Sequence, residues 1–553
     1  MNLIKDFFIH KSFNPWFFFP LFITFFLSFP IFSLIFNVVL NYNTEWNIVF
    51  NIEIWDYFFN SICIIFFQSI FVLFFGVICA WIITTYDFPF RKIIDFFLLL
   101  PLSIPPYIAA IAYAEIFDFS SYLQIFFREN ISILNNIRFP NIRSLPGVIF
   151  IFSITLYPYV YIISRAAFSE ISHTYSEIGK TLGLKQLSIF FKVFLPLAIF
   201  PIIGGVILSI LESLNDFGTV QYYGIDTFTT GIYKTWVGLG DINLASQISI
   251  FFLFFIFFIL FLQKRFFSNE KINLKASFKK KNNLISSSKF KNTFLIFFCF
   301  LPIILGFFVP FIFLLSNSIQ SLEVFLLKDT IINTFNTIFL AVITSFTIIF
   351  LSLLINYSAR IKKNKINLFF NKIASLGYAI PGSIIAIGIL IPFTYFDNFF
   401  VNFFKVNFNL NISTFFTGSI FVLCFAYVVR FFTISQTNIE SGFYRISKNI
   451  DDTARVLGKK PILILFNIHI PLMSLTILLS LVLIFIEIVK ELSATLILRP
   501  FNFNTLAIQV YEYASEERII ESSIPSLIIV VLCIIGIIFM TRINNQLLKS
   551  DKR

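Results

Sequence analysis

The sequence has 553 residues, of which 58% are hydrophobic and only 13% are charged, and its formal net charge is +12. With a mean hydropathy of +0.88, this composition excludes a soluble globular protein and predicts an all-α polytopic protein of the lipid bilayer. A membrane β-barrel would instead show alternating hydrophobicity over segments of about 10 residues. The five cysteines lie in apolar runs and the three histidines are scattered, so neither disulfides nor a zinc site is predicted, and the ligands of any metal stay unknown.

Apolar runs long enough to cross a membrane as helices follow one another along the chain. The first six lie near residues 16–39, 61–85, 93–116, 146–168, 190–215 and 243–265. The second six lie near residues 294–317, 333–357, 369–395, 413–435, 466–489 and 524–546. We therefore predict about 12 transmembrane helices in two tandem six-helix domains, 1–265 and 294–553, joined by a Lys-rich and Ser-rich cytoplasmic linker at 266–293.

The distribution of Lys and Arg predicts the orientation. If the N-terminus lies inside, the inner segments and their flanks hold most of the 41 basic residues, including Arg91, Lys92 and the run at 264–291. The positive-inside rule then places both termini in the cytoplasm. The net charge is thus mainly a topology signal. No nucleic-acid partner is predicted, because the charges are not gathered on one soluble domain.

The loop between the fourth and fifth spans occurs twice. The first loop, EIGKTLGLKQLSIFFKVFLPL at 177–197, aligns without gaps with the second loop, DTARVLGKKPILILFNIHIPL at 452–472. Three aligned pairs are 275 residues apart: Glu177 with Asp452, Gly183 with Gly458, and Pro196 with Pro471. The pattern predicts a short acidic helix, a glycine that ends it at positive φ, a second short helix, and a proline in the first turn of the next span. On the cytoplasmic side, this arrangement suits docking to a soluble partner.

The first loop also contains Gly179-Lys180-Thr181, which is the end of a phosphate-binding motif. That motif needs a glycine five residues before Gly179, where this chain has Thr174, and it follows a strand. The second loop has Ala454-Arg455-Val456 at the aligned positions. Nucleotide binding by this chain is therefore not predicted.

Both loops resemble the EAA loop of ABC importer permeases, which in that family forms a coupling helix seated in a groove of the ATPase subunit. The matching residues are Glu177, Gly179, Gly183, Leu195 and Pro196 in the first loop, and Asp452, Ala454, Gly458, Ile470 and Pro471 in the second. The departures are Ile178 and Gly179 in place of alanines, and Asp452 in place of glutamate.

Within that family, the fused layout and the segments at 211–220 and 488–517 most resemble ferric-iron importer permeases, and thiamine permeases share the layout. The resemblance implies a multi-pass subunit of a bacterial inner membrane that is not itself an enzyme and binds no cofactor. The implied partners are two ATPase subunits, which carry ATP and Mg, and a periplasmic substrate-binding protein. Closure of the ATPases would push the coupling helices together and switch the access of the spans.

Two acidic residues lie at the end of the fifth span of each half. They are Glu212 and Asp216 in the first half, and Glu487 and Glu491 in the second. Charged groups inside spans are costly and usually face a cavity or a partner. We interpret these carboxylates as a polar lining of the translocation path, and their oxygens would suit a hard cation such as Fe³⁺. The alternative is that Asp216 and Glu491 fix helix packing, with Lys490 neutralising Glu491. Prolines such as Pro105 and Pro381 interrupt the third span of each half, which is typical of transporter pathways and of plain kinks.

A second class of transporter also fits twelve spans in two parallel repeats. In an ion-gradient-driven carrier, the intramembrane acids would carry protons. The duplicated loops favour the ATPase-driven class, because an ion-coupled carrier has no need of a docking helix in each half.

Overall fold

The structure, a computed structural model, describes residues 15–41, 54–130, 140–171, 179, 181–267, 284–286, 288–361, 365–410 and 414–550. Within these ranges, ten helices are long and apolar enough to cross a membrane, or twelve if each of two bent helix pairs is one span. The prediction of an all-α polytopic fold with about 12 spans is confirmed. The predicted domain limits at 1–265, 266–293 and 294–553 stay a prediction.

The helices of the first half, in chain order, are α1 (Pro15–Leu40), α2 (Ile54–Thr85), α3 (Arg91–Phe97), α4 (Pro106–Ile116), α5 (Tyr122–Asn130), α6 (Leu145–Glu170), α7 (Gln186–Asn215), α8 (Gly218–Tyr222), α9 (Phe228–Tyr233) and α10 (Ile242–Phe267). A 3₁₀ turn, Leu100–Ser103, lies between α3 and α4.

The helices of the second half are α11 (Lys289–Gln320), α12 (Leu322–Leu326), α13 (Lys328–Ile361), α14 (Lys365–Ala374), α15 (Gly382–Phe408), α16 (Ile420–Arg445), α17 (Lys448–Val456), α18 (Pro461–Leu472), α19 (Ser474–Lys490), α20 (Ser493–Leu498), α21 (Leu506–Ser515) and α22 (Ile519–Ser550). Two short parallel strands, β1 (Tyr86–Asp87) and β2 (Ile285–Ser286), pair the segment after α2 with the segment before α11.

The repeat seen in the loops extends through the fold. Helix α16 begins and ends 275 residues after α6, and α18 with α19 covers the residues equivalent to α7. Even a local irregularity is repeated, since a π-helical turn occupies Phe190–Phe194 in the first half and Leu465–His469 in the second. A proline follows each turn, at Pro196 and Pro471. Since proline has no N–H to continue the regular ladder, the irregularity has a cause in the sequence.

The third span of each half is broken, as the prolines suggest. In the first half, α3 with its 3₁₀ turn and α4 meet at 90°. Pro105 stands just before α4 with φ −55° and ψ 141°, and Pro381 stands just before α15 with φ −53° and ψ 143°. The predicted spans 93–116 and 369–395 are therefore not single straight helices. The predicted span 466–489 also bends, by 78° between α18 and α19.

The two halves are interleaved through their first spans. Helix α1 packs on α13, α14 and α15 of the second half, and α11 packs on α2, α4 and α6 of the first. The contacts are close: a Cβ added to Gly388 would lie 2.5 Å from the carbonyl oxygen of Pro30. On the other side, the Tyr113 hydroxyl donates to the carbonyl of Leu305 over 2.7 Å. The core is thus shared between the halves.

Candidate functional site

The first helix of the second loop ends at the glycine, as the sequence predicts, but it begins at Lys448 and is not headed by Asp452. Helix α17 ends at Val456, and Gly458 has φ +74°. The Gly458 N–H donates to the carbonyl of Arg455 over 2.9 Å, and the Lys459 N–H donates to that of Ala454 over 3.1 Å. This pair of bonds is a Schellman motif, in which a glycine in the left-handed region ends the helix.

The first loop repeats this geometry over the residues that the structure describes. Gly183 has φ +75°, and the Leu184 N–H donates to the carbonyl of Gly179 over 3.0 Å. Among the described residues, a Cβ added at Gly183 or Gly458 would meet nothing within 4 Å. Glycine is therefore favoured by the backbone conformation and not by lack of space. Glu177, the predicted acid of this loop, lies outside the described residues.

The remaining loop residues fall into a buried and an exposed set. Gly179 and Ala454 are buried, Leu195 and Ile470 are half-buried, and Pro196, Pro471 and Asp452 are exposed. Apolar side chains are also exposed at three equivalent positions: Leu182 (73%) and Leu457 (73%), Leu187 (63%) and Ile462 (52%), and Phe191 (61%) and Phe466 (52%). Each loop thus presents apolar side chains at matched positions.

The predicted acid of the second loop is not the residue that anchors it. The side chain of Asp452 is 71% exposed and reaches only Arg455, at 3.7 Å. Its neighbour Asp451 is buried, with Oδ2 2.6 Å from Arg360 Nε and Oδ1 2.5 Å from His469 Nε2. Arg360 lies at the end of α13 and His469 ends the π-helical turn, so one carboxylate connects α17 to two spans.

Arg360 also holds the end of α16. Its guanidinium donates to the backbone carbonyls of Phe443 over 2.5 Å, Ile446 over 3.0 Å and Ser447 over 3.1 Å. The residues equivalent to Arg360, Asp451 and His469 in the first half are Thr85, Ser176 and Phe194. The repeat gives no sequence signal for this network, because the first half lacks these residue types at the equivalent positions.

The four predicted path carboxylates line one cavity at the interface of the halves. The cavity has ≈ 70 Å³ of room for the centres of water molecules, enough for several waters. The breaks and ends of spans surround it: the start of α4 after Pro105, the end of α7, and the end of α19. Its charged lining residues are Glu212, Asp216, Glu487, Glu491, Arg430 and Lys490.

The two carboxylates of the second half are paired with basic groups. Lys490 Nζ lies 3.0 Å from Glu487 Oε1, and Arg430 Nη1 lies 2.5 Å from Glu491 Oε1. The same oxygen of Glu491 accepts from the backbone N–H of Ala494 over 2.9 Å. Glu491 thereby caps the start of α20 and fixes it to α16.

The two carboxylates of the first half have only neutral partners. The Tyr378 hydroxyl, from the second half, donates to Glu212 Oε1. Asp216 Oδ1 accepts from the backbone N–H of Thr219 over 2.7 Å, which is equivalent to the Glu491–Ala494 contact. In the part of the chain that the structure describes, neither carboxylate has a Lys or Arg within 4.0 Å.

Two further oxygen atoms at the cavity have no hydrogen-bond partner among the residues that the structure describes. They are Asn215 Oδ1 and the Tyr107 hydroxyl, and both residues are 4% exposed. Buried polar atoms are normally paired, so such atoms need an explanation. Among the described residues, no group of three His, Cys, Asp or Glu side chains is placed to hold a metal ion.

The sequence is similar to those of known transport permeases. Residues 72–271 match the family model "Binding-protein-dependent transport system inner membrane component". The chain is 22% identical over 451 residues to the Fe(3+)-transport system permease protein FbpB 2 of Haemophilus influenzae, covering 80% of this chain and 81% of that relative. It is 30% identical over 149 residues to the sulfate transport system permease protein CysT of Salmonella typhimurium, covering 27% of this chain and 51% of that relative.

Proposed function

We propose that this chain, whose residues 72–271 match the model of binding-protein-dependent transport system inner membrane components, is the fused permease subunit of an ATP-driven importer of ferric iron. The observation that carries the proposal is the duplicated loop. Both copies end a short helix at a glycine of positive φ, and both expose apolar side chains at equivalent positions.

Each loop is the docking site of one ATPase subunit. Its exposed apolar surface suits burial in a groove of a soluble partner, in the manner of an amphipathic helix. The docking residues are those of the predicted motif: Glu177, Gly179, Gly183, Leu195 and Pro196, and Asp452, Ala454, Gly458, Ile470 and Pro471. ATP and Mg are bound by the two partner subunits, and this chain holds no cofactor.

The orientation follows from the docking sites. Both loops and both termini face the cytoplasm of a bacterium, and a periplasmic binding protein delivers the substrate to the opposite side. Helix α7 runs without a large bend from Gln186, inside the first loop, to Asn215 at the cavity. Displacement of the first loop by its ATPase subunit is therefore carried along α7 to Glu212, which lies near its far end.

The charge of the cavity favours a cation as substrate. Glu212, Asp216, Glu487 and Glu491 form the translocation path, and only Arg430 and Lys490 oppose their charge. A surplus of carboxylates attracts a hard cation, which prefers oxygen ligands, and repels an anion such as sulfate. Iron is the named substrate of the relative that matches over most of this chain. Import of thiamine or another small solute by the same architecture is the alternative.

The test is transport in liposomes that contain the chain, its ATPase subunits and its binding protein. We expect uptake of ⁵⁵Fe³⁺ that requires ATP on the side of the membrane where the ATPase subunits are bound. The presence of iron should also stimulate ATP hydrolysis. Uptake driven by a proton gradient in the absence of the ATPase subunits would contradict the proposal and support a secondary transporter. ATP-dependent uptake of thiamine or sulfate, but not of iron, would contradict only the substrate.

A further inference from the structure

The two faces of the cavity differ although the chain repeats. The repeat aligns Asn215 with Lys490 and Thr155 with Arg430, and all four residues line the cavity. The second half therefore has a basic group at two positions where the first has a neutral polar one. These are the groups that pair with Glu487 and Glu491. The surplus of negative charge accordingly lies on the first half.

On this basis we infer that the cation is contacted by the first half alone, through the oxygens of Tyr107, Glu212, Asn215 and Asp216. The inference rests on the proposed function, because it assigns the contacts of that substrate. Glu487 and Glu491 are paired with basic groups, and they form the opposite face of the cavity without contacting the cation.

The four groups come together for local reasons. Glu212 lies one helical turn before Asp216, and Asn215 lies between them at the end of α7. Tyr107 lies in the first turn of α4, after the break at Pro105. It packs on Gly218, since a Cβ added to Gly218 would lie 2.7 Å from Tyr107 Cβ. Glycine at 218 therefore lets the tyrosine approach the end of α7.

The unpartnered oxygens point to a ligand rather than to packing alone. Burying a hydroxyl or a carbonyl without a hydrogen bond costs free energy, and here both Asn215 Oδ1 and the Tyr107 hydroxyl lie at the uncompensated face. A hard cation would satisfy them together with the two carboxylates. Among the described residues, no three His, Cys, Asp or Glu side chains are placed to hold a metal ion together. Weak binding suits a transport path, because the ion has to leave the site again.

A pair of charge-matched variants tests the inference in the liposome system described above. Glu212→Gln and Glu487→Gln remove the same charge from the same cavity. We expect Glu212→Gln to lower ⁵⁵Fe³⁺ uptake at least 10-fold more than Glu487→Gln does, and Glu212→Asp, which keeps a carboxylate, to recover part of the loss. Equal losses in the two charge-matched variants would show that only net charge matters and would overturn the inference.

Tyr107→Phe is a second test that does not depend on charge. Removal of an unpartnered buried hydroxyl should leave the melting temperature of the purified complex unchanged or raise it. If the hydroxyl contacts the cation, iron uptake nevertheless falls, by an expected 3-fold or more. Unchanged uptake with an unchanged melting temperature would overturn this part of the inference. Failure of the wild-type protein to transport iron would instead overturn the proposed function, so the two failures are distinguishable.

Discussion

Arg360 and Asp451 form an ion pair, 2.6 Å from Nε to Oδ2, in which each side chain is only 9% exposed. It joins the end of α13 to α17, which leads into the second loop. His469 makes the second contact of the same carboxylate from the start of the fifth span. The second loop is thus joined to several spans through one buried carboxylate.

Asp451→Asn is expected to uncouple ATP hydrolysis from transport. The amide still accepts one hydrogen bond, but Arg360 loses its buried counter-charge, and breaking a buried pair of this kind costs roughly 3–5 kcal/mol in the extreme case. We expect α17 to shift relative to α13, so that iron uptake per ATP hydrolysed falls several-fold. The measurement is the ratio of the two rates in liposomes.

Asp329→Asn is the matched control for that variant. It changes an exposed carboxylate in the first turn of α13, the helix that has Arg360 in its last turn. Its uptake per ATP should equal that of the wild type. An unchanged ratio in Asp451→Asn would show that the ion pair is not needed to transmit movement.

Replacement of Gly183 and Gly458 is expected to weaken ATPase attachment through backbone strain. Both residues have φ near +75°, which costs a residue with a β-carbon about 1–2 kcal/mol. We expect the double variant with valine to lose most of its co-purifying ATPase, and the double variant with asparagine, which tolerates this conformation, to keep more. The measurement is the ATPase stoichiometry of the purified complex.

Gly204→Val controls for the added side chain. This glycine lies within α7, and a Cβ there meets nothing within 4 Å. Full attachment of the ATPase in the Gly183→Val/Gly458→Val variant would mean that the loops are not the docking sites.

The sequence is sufficient to predict the elements and much of the candidate site. Hydropathy locates the spans, since each must bury its backbone polar groups in lipid, and the two loops reveal the repeat and the positive φ of Gly183 and Gly458. The four carboxylates could be singled out because charges inside spans are rare. Two partners of these carboxylates are harder to predict, because Tyr378 approaches Glu212 and Arg430 approaches Glu491 from distant parts of the chain.

The interleaving of the halves has no signal in the sequence. Apolar periodicity identifies a span, but it does not identify the neighbour of that span, since lipid and helix surfaces are similarly apolar. The close contacts that fix α1 and α11 on the opposite halves depend on single small residues, Gly388 and Gly306, in runs where small residues are unremarkable.

Gly306→Val is therefore expected to destabilise the join between the halves. A Cβ at this position would collide with the backbone carbonyl of Ile154 and would also approach Pro101, so α11 cannot keep its place. Overpacking of this kind costs typically 1–3 kcal/mol. We expect a lower melting temperature of the purified chain, with Gly204→Val unaffected. Equal melting temperatures would contradict the close packing of α11 on the first half.

The pairing of Arg430 with Glu491 makes a last prediction, by a double-mutant cycle. Arg430→Met leaves the Glu491 carboxylate buried without its counter-charge, and it should lower the melting temperature strongly, because an unpaired buried charge costs several kcal/mol. Combining it with Glu491→Gln removes that charge, while the amide oxygen can still accept from the N–H of Ala494. The double variant should therefore be more stable than Arg430→Met alone. If both variants melt at the same temperature, the pair does not fix α20 to α16.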